Sequence, residues 1–407
     1  MSRRSAALLA ATTLVALALV VPGATAGAEG SRRSVDRDVR FATYNASLNR
    51  GNQGDLVRDL STPDNRQAQK VAEIVQRTRP DVLLVNEFDY VEGGRAAELF
   101  RDNYLEVSQG GQRPVEYRHY FVAPSNTGIP SGHDLDNNGA VGGPGDAYGF
   151  GFFPGQYGMV VYSKFPIDTE QIRTFQHFLW KDVPGAMLPD DPATAAPADW
   201  YSPDELDDVR LSSKSHWDLP LRIGHETVHF LVSHPTPPVF DGQEDRNGTR
   251  NHDEIRFWSD YVSGGARASY IYDDDGGYGG LARDARFVIA GDQNSDPLDG
   301  DSVPGSAQQL LEHPLVNATM TPDSRGAVEA SQTQPGNQSH RSPPRFDTAD
   351  FSEPPGNLRA DYLLPHRSVR ILDSAVFWPV STDPAAALID ASDHRLVWAD
   401  LLLPHRG

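Results

Sequence analysis

The chain contains no cysteine, which excludes disulfides and thiolate chemistry and leaves stability to an apolar core and bound ions. It also lacks a basic run. Acidic side chains number 56 against 36 basic ones, a formal charge of −20, whereas a protein that gains affinity by neutralising backbone phosphates carries a basic face. Generic duplex nucleic acid is therefore disfavoured as a partner, and only a local basic cleft or bound divalent cations would overturn that bulk argument. Beyond Val21 no segment has the continuous apolar length of a membrane span. The one long apolar run, from about Ala6 to Val21, follows Arg3 and Arg4 and leads into Ala24-Thr25-Ala26, the layout of a secretory signal peptide. A membrane anchor is the competing reading, but the run is short, contains Thr12 and Thr13, and lacks a stop-transfer pattern. We expect a signal peptide over residues 1–26, a polar leader over 27–38, and a secreted, extracellular product without a transmembrane anchor. Removing Arg3 and Arg4 leaves 34 basic side chains against 56 acidic, a charge near −22.

Strand and helix signals alternate in the first third of the chain. Arg40 to Asn45 reads as a strand, and a helix starting at Pro63-Asp64 repeats Ala68, Val71, Ile74 and Val75 before Pro80 ends it. Asp81 to Asn86 is an apolar strand, and Arg95 to Tyr104 a second helix. Further strands are expected at Tyr157 to Lys164, Leu219 to Ile223, Thr227 to Ser233, Arg286 to Ala290, Arg359 to Leu364, Ala375 to Trp378 and Leu396 to Leu402, with a helix from about His252 to Tyr261. This is a mixed α/β chain. Pro124 to Gly155, Lys181 to Ser213 and Thr321 to Pro355 read as long insertions, where substrate choice would reside. No Pro/Ser/Thr linker divides residues 39–407, so they read as one domain.

Five polar clusters sit at the ends of strand-like runs: Asn45 after Phe41-Ala42-Thr43-Tyr44, Glu87 after Asp81 to Asn86, Asp292 and Asn294 in Gly291-Asp292-Gln293-Asn294, Asp361 in Arg359-Ala360-Asp361-Tyr362, and Ser392-Asp393-His394. In order, type and placement the set resembles the endonuclease/exonuclease/phosphatase superfamily, with its deoxyribonuclease-I-like nucleases, sphingomyelinases and inositol-polyphosphate 5-phosphatases. The resemblance runs from about Arg40 to about Leu403. It implies a four-layer α/β sandwich of two mostly antiparallel β-sheets flanked by helices, here with long loop insertions.

Phosphoester hydrolysis needs a hard cation on a non-bridging oxygen, an activated water and donors for the charge that builds on phosphorus. Magnesium, or manganese in its place, prefers oxygen ligands and needs only one or two carboxylates. Glu87 is the first choice of ligand, assisted by Asn45, with Asp393 beside the site. The resemblance implies that Asp292 and Asn294 hold water and phosphate, although Gly-Asp-x-Asn alone is an ordinary Asx-turn. It further implies that Asp361 orients His394, a carboxylate–imidazole pair able to act as base, acid or cationic clamp. His234, in Val232-Ser233-His234-Pro235, would contribute from the opposite side of the cleft. Lys214 and His216 are weaker phosphate-contact candidates.

Two further motifs compete. His225-Glu226-Thr227-Val228-His229 matches the zinc-peptidase pattern, which requires both histidines on one helix face; Thr227, Val228, Phe230 and Val232 favour a strand instead. Asp134-Leu135-Asp136-Asn137-Asn138-Gly139 opens like a calcium loop, but position twelve is Gly145 rather than Glu. It is either a structural calcium site of Asp134, Asp136, Asn138 and Asp146 or an unoccupied turn. The expectation is a secreted, divalent-metal-dependent phosphoesterase acting on a phosphodiester or phosphomonoester. The alternatives are a zinc metallopeptidase using His225, Glu226 and His229, and an inactive binding module. Oligomeric state is not legible.

Overall fold

The computed structural model describes residues 37–403, so the expected signal peptide and the leader as far as residue 36 lie outside the described residues. In chain order the strands are Arg37–Asn45 (β1), Val82–Asn86 (β2), His119–Phe121 (β3), Met159–Ser163 (β4), Arg173–Thr174 (β5), His216–Ile223 (β6), Glu226–Ser233 (β7), Arg286–Asp292 (β8), Ala349–Asp350 (β9), Asn357–Leu358 (β10), Asp361–Pro365 (β11), Arg370–Val376 (β12) and Val397–Leu403 (β13). One six-stranded sheet runs β12-β13-β1-β2-β4-β3 and one five-stranded sheet runs β11-β8-β7-β6-β5, while β9 and β10 form a separate ribbon. Within these sheets only β1 with β2 and β7 with β8 are parallel; the other pairings are antiparallel.

Alternation along the strands explains the layering. Val39 and Phe41 of β1 face the second sheet, where they meet Phe230, Val232, Val288 and Leu363; the Phe41 and Phe230 rings lie 5.4 Å apart. Ala42 and Tyr44 point the other way, into a core with Arg66–Thr78. On the second sheet Phe287, Ile289, Tyr362 and Leu364 face away from the first and pack on Ile255, Trp258 and Tyr261 of the helix Arg246–Ser263. Three apolar cores thus separate four layers, helix, sheet, sheet and helix. Each fully buried Leu, Ile, Val or Phe side chain contributes roughly 1.5–3 kcal/mol to holding them together.

Several sequence boundaries move. Arg37 and Asp38, expected in the leader, already pair with Leu403 and Leu402 in β1. The first long helix starts at Arg66 rather than Pro63, because the Asn65 side chain accepts the Ala68 amide and caps it. The helix expected from His252 begins at Arg246. The strand expected at Ala375 to Trp378 is Arg370–Val376. The segment 181–213 carries Tyr201, Val209 and Leu211 into the outer core, a contribution without the periodicity that would betray it.

The two parallel pairs set the place of the site. Each is a strand, a helix and a second strand, so β1 with β2 and β7 with β8 present their carboxyl ends at the same edge, as open α/β sheets do at their binding crevices. Asn45 pairs with Asn86 across one of them, and Asp361 pairs with Asp292 across β11 and β8. Asn86, which sequence reasoning passed over, ties the sheets together there: its side-chain oxygen accepts the Asp292 amide at 3.3 Å and its nitrogen reaches the Ser233 carbonyl at 3.5 Å. Gly291 has φ +144°, and a Cβ on it would sit 2.0 Å from the Ser233 carbonyl oxygen, so only glycine lets β8 close against the end of β7.

Candidate active site

Asp292 Oδ2 is the centre of the arrangement. Asn45 Nδ2 donates to it at 3.1 Å, His234 Nε2 lies 3.3 Å away and His394 Nε2 3.5 Å away. The same Asn45 amide donates to Glu87 Oε1 at 3.1 Å. His394 Nδ1 meets Asp361 Oδ2 at 2.8 Å. Asn45, Glu87, His234, Asp292, Asp361 and His394, spread over most of the chain, therefore meet at one strand-end cluster.

The backbone around it is unusual for its residue types. Ser47, Glu87 and Asn294 have φ of 47°, 56° and 50°, a left-handed region that non-glycine residues seldom occupy and that gathers at functional sites. Asp292 Oδ1 accepts the Asn294 amide at 2.9 Å, so the Asx-turn reading and the site reading both describe this turn. Asn294 Nδ2 donates to the Pro235 carbonyl at 3.1 Å. Ser392 Oγ donates to the Asn45 carbonyl at 2.7 Å and lies 3.1 Å from the His394 amide, fixing the last cluster against the first.

Thr348, which no motif marks, supports the histidine pair. Its hydroxyl donates to Asp361 Oδ2 at 2.8 Å and accepts the amides of Ala360 and Asp361 at 3.0 and 2.9 Å. Glu254 and Asn251, on the outer helix, were missed because they look like exposed helix polars. Both are buried: Glu254 accepts the amides of Ser213 and Thr236 at 2.7 Å each, and Asn251 Nδ2 donates to the carbonyls of Thr236 and Gln293.

Charge follows from these contacts. Burial alone would lower the pKa of His394, but the carboxylates of Asp361 and Asp292 outweigh it and raise it to about 10, so its ring is cationic at neutral pH. Burial would raise the Asp292 carboxyl, yet the His394 charge and the hydrogen bonds from His234 and Asn45 hold it well below the usual carboxylate range. Burial lowers His234 to about 4, leaving it neutral. Glu87 is raised, by burial first and then by the neighbouring Asp393 and Asp292 charges acting against its Asn45 hydrogen bond and the His394 charge.

This donor set fits a hard divalent cation. Glu87 and Asp292 share a single amide donor, Asp361 and Asp393 add negative charge nearby, and Asp361 Oδ1 and His234 Nδ1 are buried without a hydrogen-bond partner. Asp292, Asp361 and His394 bring ligand atoms within 4.8 Å of one another. Oxygen-rich surroundings of this kind suit magnesium or manganese rather than a thiolate-loving metal. Asp393 itself is exposed at the rim, where Ser47 Oγ donates to it at 3.2 Å.

The weaker candidates separate. Lys214 is buried, with Nζ 3.5 Å from the Pro235 carbonyl. His216 is not a phosphate contact: its ring nitrogens are taken by Ser212 Oγ at 2.5 Å and the Glu254 carbonyl at 2.9 Å, its ring packs on Phe257 and Trp258, and burial lowers its pKa to about 4. The zinc-peptidase pattern lies at a turn and on β7 rather than on a helix. Four residues of strand place His225 and His229 roughly 13 Å apart, and His229 Nδ1 is bonded to Asp218 at 2.7 Å. That reading is excluded by geometry. Asp134, Asp136 and Asp146 do gather within 4.8 Å, but their oxygens accept backbone amides of their own loop, and the Asn138 side-chain oxygen accepts the Ala140 amide.

The model of the Endonuclease/Exonuclease/phosphatase family matches residues 42–394. No curated protein matches the sequence. Among solved structures, an endonuclease/exonuclease/phosphatase from Beutenbergia cavernae is 18% identical, with a TM-score of 0.48 over 90% of this chain and 72% of that one. Sphingomyelinase C from Streptomyces griseocarneus is 15% identical, with a TM-score of 0.45 over 89% and 99%. A mutant beta toxin from Staphylococcus aureus with bound magnesium ions is 13% identical, with a TM-score of 0.44 over 89% and 99%.

Proposed function

The chain belongs to the endonuclease/exonuclease/phosphatase family and is a metal-dependent phosphoester hydrolase, and from that premise we propose that it hydrolyses a phosphodiester by direct attack of water on phosphorus, with magnesium or manganese as cofactor. The observation that carries this reading is the convergence of Asn45, His234 and His394 on one oxygen of Asp292, with Glu87 on the same Asn45 amide.

Glu87, with Asn45 orienting it and Asp393 at the rim, would hold the cation, which when bound supplies positive charge to a non-bridging oxygen and eases ionisation of water. Asp292, kept ionised, accepts a proton or a hydrogen bond from the attacking water. His394, kept cationic and aligned by Asp361 and Thr348, donates from Nε2 to the charge that develops on the phosphoryl group. Neutral His234 faces the same carboxylate and holds it in place, and Asn294 offers an amide to phosphate.

A singly charged diester is favoured over a dianionic monoester because the site already concentrates the carboxylates of Glu87, Asp292, Asp361 and Asp393. The sequence layout of residues 1–26 supports export, with the mature chain starting near Gly27; amino-terminal sequencing of the protein from culture medium tests it. Activity is tested with bis(p-nitrophenyl) phosphate and p-nitrophenyl phosphate, first with magnesium and then with chelator. The expected result is chelator-sensitive hydrolysis, faster on the diester. Turnover undiminished by chelator would defeat the proposal, and a clear preference for the monoester would overturn the diester assignment.

A further inference from the structure

Lys214 is buried at 6% exposure, yet among the described residues its ammonium forms no ion pair with a carboxylate. The strongest charge acting on it is that of Glu254, but both Glu254 oxygens are occupied by the amides of Ser213 and Thr236. The one hydrogen bond of Nζ is the long 3.5 Å contact to the Pro235 carbonyl. An ammonium has three donors, so two are unused, and a buried cation left in that state is costly.

The Pro235 carbonyl is also the oxygen to which Asn294 Nδ2 donates at 3.1 Å, and the Asn294 amide group has a second N–H. Two nitrogens with spare donors therefore lie within 3.5 Å of one carbonyl oxygen, and the Lys214 charge acts on His234 while the carboxylates of Glu87 and Asp292 act on Lys214. The 124–155 insertion holds the lysine there. Asn126 donates its amide to the Lys214 carbonyl at 2.9 Å, and a Cβ on Gly149 would sit 1.8 Å from the Ser213 carbonyl oxygen.

We propose that Lys214 is a substrate-binding residue which, together with Asn294, donates to a non-bridging phosphoryl oxygen, an assignment that rests on the phosphoesterase reading above. The insertion is then part of the substrate site, because it presses the Ser213-Lys214 backbone into position.

The test is calorimetric titration of inorganic phosphate into the full chain with magnesium present, comparing wild type with Lys214→Met and Lys214→Gln. Loss of a charged donor predicts phosphate binding weaker by roughly 10- to 100-fold in both variants. The thermal midpoint of Lys214→Met should hold or rise, because an apolar chain replaces an uncompensated buried charge, and the magnesium concentration for half-maximal hydrolysis should not increase. Phosphate affinity within twofold of wild type would overturn the assignment, as would a loss matched by an equal loss of magnesium affinity, which would mean that Lys214 only positions the carboxylates. A wild type without measurable phosphate affinity would overturn it too. Phosphate binding is read independently of turnover, so a wild type that binds phosphate through Lys214 but hydrolyses neither ester sinks the hydrolase reading alone.

Discussion

Two acidic groups among the described residues close to within 4.8 Å, Asp292 with Asp361 and His394 at the strand ends, and Asp134 with Asp136 and Asp146 in a loop. Their chemistry differs because of who satisfies them. The loop group is served from inside one short segment: Asp146 accepts the amides of Leu135, Gly142 and Gly143, and Asp134 those of Asn138 and Gly139. The strand-end group takes one local backbone amide, that of Asn294 on Asp292, but is otherwise served by side chains from distant segments, keeps a cationic histidine, and leaves Asp361 Oδ1 and His234 Nδ1 without partners. Proximity alone does not distinguish a reactive site from a folded turn. Backbone donors spend a carboxylate on structure; mobile protons and unfilled donors leave it available for chemistry.

The largest effect should come from His394→Ala, which removes the cationic donor and is expected to lower kcat/KM by about 10³-fold with little change in the thermal midpoint of the loop region. Retention of activity within tenfold would break the comparison outright. Asp361→Asn comes next, at roughly 10²-fold, because the imidazole loses the carboxylate that charges and aligns it. It carries a pH signature. The folded pKa of His394, about 10, lies above its ordinary value of 6.5, so the stability from this pair is complete below pH 6.5 and is lost as pH rises through about 10. In Asp361→Asn only the Asp292 carboxylate remains to oppose burial, and thermal midpoints between pH 7 and 10 should lose part of that slope.

Thr348→Val should cost about 1–3 kcal/mol in chemical denaturation, since the amides of Ala360 and Asp361 lose their acceptor. Its activity should fall about tenfold, less than for Asp361→Asn, because the ion pair itself survives. The smallest effect on turnover belongs to the loop group. Asp146→Ala removes the acceptor of three amides and should loosen residues 134–146 to hydrogen exchange while kcat/KM stays within about threefold. A drop comparable to that of His394→Ala would erase the distinction between the two groups.

Part of the strand-end group was legible because Asn45, Glu87 and Asp292 close apolar runs, and the run announces both the strand and its end. Asp361, which opens its strand, and His394, which precedes the last one, were named through the family resemblance of Arg359-Ala360-Asp361-Tyr362 and Ser392-Asp393-His394, and the strand character of His225 to His229 through the β-branched and aromatic residues around it. The partners were not legible. Thr348 lies in a polar insertion with no periodicity, and its role exists only through Asp361, thirteen residues later. Asn86 was hidden by the more conspicuous Glu87 beside it, although its side chain bonds across to two strands of the other sheet. His216 misled for the opposite reason: a histidine beside a lysine suggests phosphate, but Phe257 and Trp258, which enclose it, come from a helix thirty residues downstream. Tertiary packing decides such cases, and no local pattern encodes it.

In the proposed reading the strand ends, and not the loop, hold the catalytic cation. Anomalous scattering from manganese-soaked crystals tests it most directly. A peak is expected beside the Glu87 carboxylate and the Asn45 side chain, and it should disappear in Glu87→Ala. A peak confined to Asp134, Asp136 and Asp146, with none at Glu87 in a crystal whose protein is active in solution, would contradict it.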